Sequence, residues 1–198
     1  MISNYEELIP LVTAELSNCP TVLILQHLRQ AGRNLCADSE AWREDITMNT
    51  VKDQAAYILV PKWQAEIRRI IDVWTNADRN SYPAQPAYYD FDQRTNTLTF
   101  KPACVPPAAT TGGLIASVAL VPSLFASELA GWFMERHNEA ILNGCKASLM
   151  VMKNKPWTDQ ALSMRYLSEY RHAVAMARFE IQGQNKQELQ RVQFQPFV

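Results

Sequence analysis

The sequence is short of the parts from which most enzymes are built. Only six of its 198 residues are glycine, and neither a glycine-rich phosphate loop nor a Gly-x-Ser-x-Gly nucleophile elbow occurs. Its four cysteines, Cys19, Cys36, Cys104 and Cys145, are scattered without the paired spacing of a zinc site and predict free thiols in a reducing, cytosolic setting. Excess charge is missing as well: 19 basic residues face 20 acidic ones, a net of -1. No global field is available to hold a polyanion, so sequence-specific DNA binding is not expected. The opening "MISNYEE" lacks the basic and apolar regions of a signal peptide. One uncharged run, 102–127, is interrupted by Pro102, Pro106, Pro107, Pro122 and the pair Gly112-Gly113. Its apolar part, 114–125, is too short to cross a bilayer, so no membrane span is expected.

What is present is an ordinary globular composition, 47% apolar and 20% charged, in a chain long enough to bury one core. From Pro20 to about Trp42 the apolar residues keep a helical period through Leu25, Leu35 and Cys36. The texture then changes to short, β-branched runs, "DITMNTV", "AAYILV" and "IIDVW", separated by polar or Pro-containing breaks. The third run also fits a helix, but its Ile and Val content favours a strand. "YYDFDQRTNTLTF" reads as a hairpin with its turn between Asp92 and Asn96, and "LIASVALV" as a further strand. A long helix follows, from about 126 to 152, with Ser123 or Ser127 as its cap.

Lys155-Pro156 stops that helix, because proline disfavours helical dihedrals in the preceding residue and donates no hydrogen bond. The next begins at once in "KPWTDQALSMRYLSEYRHAVAMARFEIQ". With Thr158 as N-cap, Trp157 and Leu162 stand at the positions of a hydrophobic staple, which makes Pro156, Trp157, Thr158 and Leu162 an angle-fixing turn between two long helices. Leu162, Tyr166, Tyr170, Ala173, Val174, Ala177 and Ile181 form the predicted buried stripe, and Gly183 the predicted close of the helix. Residues 184–198 then form a Gln-rich arm carrying Val192, Phe194, Phe197 and Val198. Apolar side chains on such an arm need either a partner or their own domain to cover them.

Glu169-Tyr170-Arg171-His172 has the Glu-x-x-His form found in carboxylate-bridged di-metal bundles. With Glu135 from the preceding helix it makes a helical-bundle metalloenzyme the alternative reading. That chemistry needs a second Glu-x-x-His on a partner helix, which the sequence does not offer, and the stripe turns Glu169 and His172 away from the core. His27 and His137 have no second ligand at metal spacing. No catalytic residue, metal or cofactor is therefore expected. The clusters Arg68-Arg69 and Arg165, Arg171, Arg178 are interrupted by Glu66, Asp72, Glu169 and Glu180, the pattern of a solvated surface or a subunit contact.

The expected fold class is α+β: a bundle of long helices, 20–42 and 126–183, with a β-rich insertion, 44–122, between the first helix and the last two. The order of segments, with "LCADSEAWRED" after the first helix, "IRRIIDVW" in the insertion, "VALVPS" before the long helix and "KPWTD" between the last two, resembles the head-to-tail adaptor, or head-completion, proteins of tailed bacteriophages. That group includes the tail tubular A proteins of short-tailed phages. The resemblance spans nearly the whole chain and rests on no single diagnostic motif. It implies a single adaptor domain, 1–183, with no enzymatic activity, and a homo-oligomeric ring, commonly of twelve copies. The ring would sit beneath the portal protein, meet a tail or nozzle protein, and extend the channel near which genomic DNA passes without specific contacts. The setting is the virion neck, after assembly in the host cytoplasm, and the arm with Val192, Phe194, Phe197 and Val198 would dock on the portal. A tail terminator or other neck protein is the nearest variant of this reading.

Overall fold

The computed structural model describes residues 4–75 and 83–189, of which 184–189 are described by backbone alone. Two compact units emerge, one formed by residues 1–41 and 131–198 and the other by Trp42–Ala130. The first is helical. A 3-10 turn, Tyr5–Leu8, runs into the five-residue α1, Ile9–Thr13, and is followed by α2, Thr21–Ser39, α3, Gly131–Met150, and the 30-residue α4, Gln160–Leu189. The second holds, among its described residues, six strands: β1 Arg43–Thr50, β2 Ala56–Ile58, β3 Ala65–Trp74, β4 Tyr89–Asp92, β5 Thr97–Phe100 and β6 Thr110–Pro122.

These strands form two antiparallel three-stranded sheets, ordered β1-β6-β3 and β2-β5-β4. Central β6 is buried from Leu114 to Pro122 except at Ile115 and Ser117, which accounts for the near-continuous apolar run "LIASVALV". The smaller sheet is held by the edge-to-face contacts of Phe100 with Tyr57 and Tyr89, at ring separations of 6.0 and 6.5 Å. Asp92 accepts from the Arg94 amide at 2.9 Å and the Thr95 hydroxyl at 2.8 Å, which shapes the β4–β5 turn the sequence predicts. "IIDVW" is indeed a strand, within β3.

The bundle of long helices with a β-rich insertion does not describe this fold. The described residues form a mixed α+β structure of four α-helices and two three-stranded sheets, one of the helices being only five residues long. The reason is physical: 42–130 buries its own apolar set, including Tyr57, Leu59, Leu98, Phe100, Leu114 and Val118, and so builds a second core. The first 16 residues are the larger omission. Tyr5, Leu8, Val12 and Leu16 are completely buried, and their i, i+3, i+7, i+11 spacing is a short helical pattern in the sequence that the expected bundle leaves out.

Helix ends also differ from expectation. α3 begins at Gly131 rather than near 126; Leu124 and Phe125 ahead of it are exposed, whereas the intervening Ala126, Leu129 and Ala130 are buried in a non-helical segment. α4 does not close at Gly183 but continues to Leu189, so the arm expected at 184–198 starts as helix. Gly183 is an ordinary helical position with open space around it. Gly144 has the opposite role. A Cβ there would lie 2.9 Å from the Tyr170 ring and 3.0 Å from the Ala31 side chain, so its absence lets α2, α3 and α4 converge. Tyr170 completes the junction by donating to the Ala31 carbonyl at 3.1 Å.

Candidate functional site

The turn between α3 and α4 is built differently from the predicted staple. Asp159, not Thr158, is the N-cap of α4: its carboxylate accepts from the Leu162 amide at 2.9 Å, where the helix dipole favours negative charge. The Thr158 hydroxyl turns back instead, accepting from the Lys155 amide at 3.0 Å and donating to the Met152 carbonyl at 2.5 Å, just past the end of α3. Moving the cap by one residue takes Leu162 out of staple register and leaves it exposed, while Ser163 is buried and donates to the Ala147 carbonyl at 2.8 Å. Trp157 is half-buried and Pro156 exposed. The buried stripe therefore runs Ser163, Tyr166, Tyr170, Ala173, Val174, Ala177 and Ile181, all buried or half-buried.

The charged residues of α4 flank this stripe and tie the helix to its neighbours. Glu169 accepts from Asn143 of α3 at 3.2 Å and from Arg165 at 3.0 Å. Glu180 pairs with Arg136 of α3 at 2.6 Å. On the other flank, Arg178 donates through Nε at 3.0 Å, and through an Nη, to the carbonyl of Asp38 in the last turn of α2. Arg171 and His172 are exposed, and so is Glu135. Glu169, His172 and Glu135 are not gathered at one point, and among the described residues no group of three or more His, Cys, Asp or Glu is placed to hold a metal ion.

Other titratable groups serve packing. Burial pushes the Cys145 thiol up to about 12 and raises Cys36 further, so both are protonated at neutral pH and poor nucleophiles. His27 Nδ1 lies 2.8 Å from the Ser148 hydroxyl, a spacing that invites comparison with a nucleophile and its base. Ser148, however, donates its proton to the Cys145 carbonyl at 2.8 Å, which leaves His27 as donor and reverses the catalytic polarity. Glu15 accepts from buried Lys146 and from the Tyr166 hydroxyl, each at 2.5 Å, and pins the N-terminal segment to α3 and α4. Burial alone would raise the Glu15 carboxyl, but the bonds from Lys146 and Tyr166 hold it below its ordinary value.

What remains is two apolar, charge-poor surfaces. Opposite the buried stripe, α4 displays Ala161, Met164, Ala175, Met176 and Phe179, with Met164 and Phe179 62% and 70% exposed. Between Ala161 and Gly183 this outer face carries Arg165, which is paired with Glu169, and the exposed Arg171 lies at its edge, two turns from Met164. The second surface lies at one end of the larger sheet. Pairing of Ala65 with Pro122, and the 2.9 Å bond from the Ser123 amide to the Gln64 carbonyl, bring Trp63 beside the segment of Leu124 and Phe125, the last 83% exposed. Trp63 is held in the left-handed region, φ 65°, where a bulky residue is strained. Its indole donates at 2.9 Å to the same Glu44 oxygen that accepts from the Trp42 indole at 3.0 Å.

The sequence reading missed both surfaces. On α4 the signal was available, in the uncharged spacing of 161, 164, 168, 172, 175 and 179; at the sheet end it was not, because the chain supplies it from two distant segments. The candidate partner residues Val192, Phe194, Phe197 and Val198 lie outside the described residues. No described helix is long and apolar enough to cross a membrane. No protein-family model matches the chain, and no curated protein shows significant similarity to it.

Proposed function

We propose that the chain is a non-enzymatic assembly protein of a tailed bacteriophage, a head-to-tail adaptor whose copies form a ring between the portal and the tail. The observation that carries this reading is the outer face of α4. A surface helix normally spends that face on charge, whereas here Glu169, Arg178 and Glu180 bond to the neighbouring helices and, beside Arg165, Ala161, Met164, Ala175, Met176 and Phe179 are left for another molecule. The near-zero net charge suits a channel past which DNA slides rather than one that grips it. The resemblance in segment order supplies the phage setting, a ring commonly of twelve copies, and the portal and the tail or nozzle protein as partners. In this reading the protein acts in the virion neck after assembly in the host cytoplasm, and Val192, Phe194, Phe197 and Val198 dock on the portal.

Co-sedimentation with the portal of the virus that encodes the chain tests the proposal. The expected result is a complex retained through a density gradient. Deleting 190–198 should abolish that retention while leaving the helical circular dichroism unchanged. A chain that stays at the top of the gradient would count against the adaptor role.

A further inference from the structure

We propose that the outer face of α4 is a docking seam for an acidic amphipathic helix of another protein, apolar along its centre and carrying carboxylates at a seven-residue spacing on one flank. The inference names the chemistry of what covers α4 and rests on the assembly reading only in requiring a partner. The face has the form of a helix-packing seam. Ala161, Ser168 and Ala175 recur at every seventh position, and all three are exposed. Met164, His172 and Phe179 stand between them at steps of three and four residues, so the small positions offer holes and the large ones knobs. A strand, with its period of two, would match only part of that pattern.

Charge selects the occupant. The two carboxylates of α4 between Gln160 and Gly183 are both compensated, Glu169 by Arg165 and Glu180 by Arg136. Two of its arginines are not. Arg178 bonds to the Asp38 carbonyl, a neutral acceptor, and Arg171 is exposed; neither forms an ion pair among the described residues. Being two turns, or about 10 Å, apart, they line the same edge of the apolar face and make that edge positive. A partner helix with Glu or Asp at i and i+7 beside its apolar seam meets both. A second copy of α4 does not fit. Packed antiparallel about a two-fold axis, it sets Arg171 and Arg178 against their own equivalents; packed parallel, it meets carboxylates already bonded to Arg165 and Arg136.

Two fluorescein-labelled helical peptides of about three heptads test the seam, each with leucine along its centre, one with glutamate and the other with lysine on its flanks. The full chain is titrated into each and binding read by fluorescence anisotropy at about 50 mM salt, where screening is weak. The glutamate peptide should bind about tenfold more tightly than the lysine peptide. Arg171→Glu should erase that preference, and Phe179→Asp should abolish binding of either peptide. Both substitutions fall at exposed positions, so the variants should keep the circular dichroism of the parent. No binding at about 200 μM chain, equal affinity for the two peptides, a preference unchanged by Arg171→Glu, or binding that survives Phe179→Asp would each overturn the inference. So would self-association of the chain that Phe179→Asp abolishes, because it would assign the face to a second copy. Failure here, with co-sedimentation on the portal intact, would remove the seam alone; loss of portal binding with the peptide preference intact would remove the adaptor reading and leave the seam standing.

Discussion

Arg178 on α4 reaches the carbonyl of Asp38 in the last turn of α2 with two donors, Nε at 3.0 Å and an Nη. One side chain thereby satisfies an orphan carbonyl and places a cation at the negative end of the α2 dipole. The α4 charges that looked like candidates for chemistry include Glu169 and Glu180 on the opposite flank, which bind α3 in the same manner. Replacing Arg178 by alanine should lower stability by about 1 kcal/mol, a drop in Tm of about 2–4 °C for a chain of this size. Arg171→Ala, at an exposed position, should change it by less than about 0.5 kcal/mol. Thermal melts of the two variants side by side check this contrast.

Gly144 and Gly183 should respond oppositely to the same substitution. Gly144→Ala drives a methyl into Tyr170 and Ala31, so despite the higher helix propensity of alanine a net loss of about 1–2 kcal/mol is expected. At Gly183 nothing lies within 4 Å of the added Cβ, and Gly183→Ala should gain up to about 1 kcal/mol. Urea denaturation midpoints of the two variants decide the matter. Loss of stability in G183A would show that α4 does not run through this position.

Acid should weaken the helical unit in two stages. Burial depresses His27 and His137 below their usual 6.5, with Arg136 adding to the effect at His137. The unfolded chain therefore binds protons first, and stability present above about pH 6.5 falls as the pH drops toward the folded-state values. Glu15 is depressed below its usual 4.5, so its contribution is present above that value and is lost on further acidification. Glu15→Gln should flatten the lower stage and leave the upper one unchanged. Stability measured from pH 8 to pH 3 would reveal a contradiction if the variant altered only the upper stage.

Much of the β unit was legible because its strands are short, β-branched and punctuated by turns, as with Asp92 at the β4–β5 corner. The helical period likewise located α2, α3 and most of α4. Less visible were features that depend on distant partners. Tyr5, Leu8, Val12 and Leu16 bury themselves only because the N-terminal segment folds back on the helices. Thr158 and Asp159 are equally good caps on paper; the choice falls to Asp159 because Thr158 is taken by the Met152 carbonyl at the end of the other helix. Phe179 is a different case: positions 161, 164, 168, 172, 175 and 179 are uncharged in the sequence itself, so this face of α4 is legible without any distant partner.

Glu44 should prove structural despite its carboxylate. Glu44→Gln keeps the acceptor oxygen for the Trp42 and Trp63 indoles but loses its charge, and should cost less than about 1 kcal/mol. Glu44→Ala removes the acceptor from both and should cost about 2 kcal/mol, with a red shift in tryptophan emission as Trp63 leaves its strained position. Equal effects of the two substitutions on melting and fluorescence would show that the shared oxygen does not hold the pair.

Electron microscopy of the purified chain mixed with the portal of its virus tests the central claim most directly. The account predicts a second ring stacked coaxially on the portal, absent when residues 190–198 are deleted. Portal particles that remain bare at saturating protein concentration would contradict it.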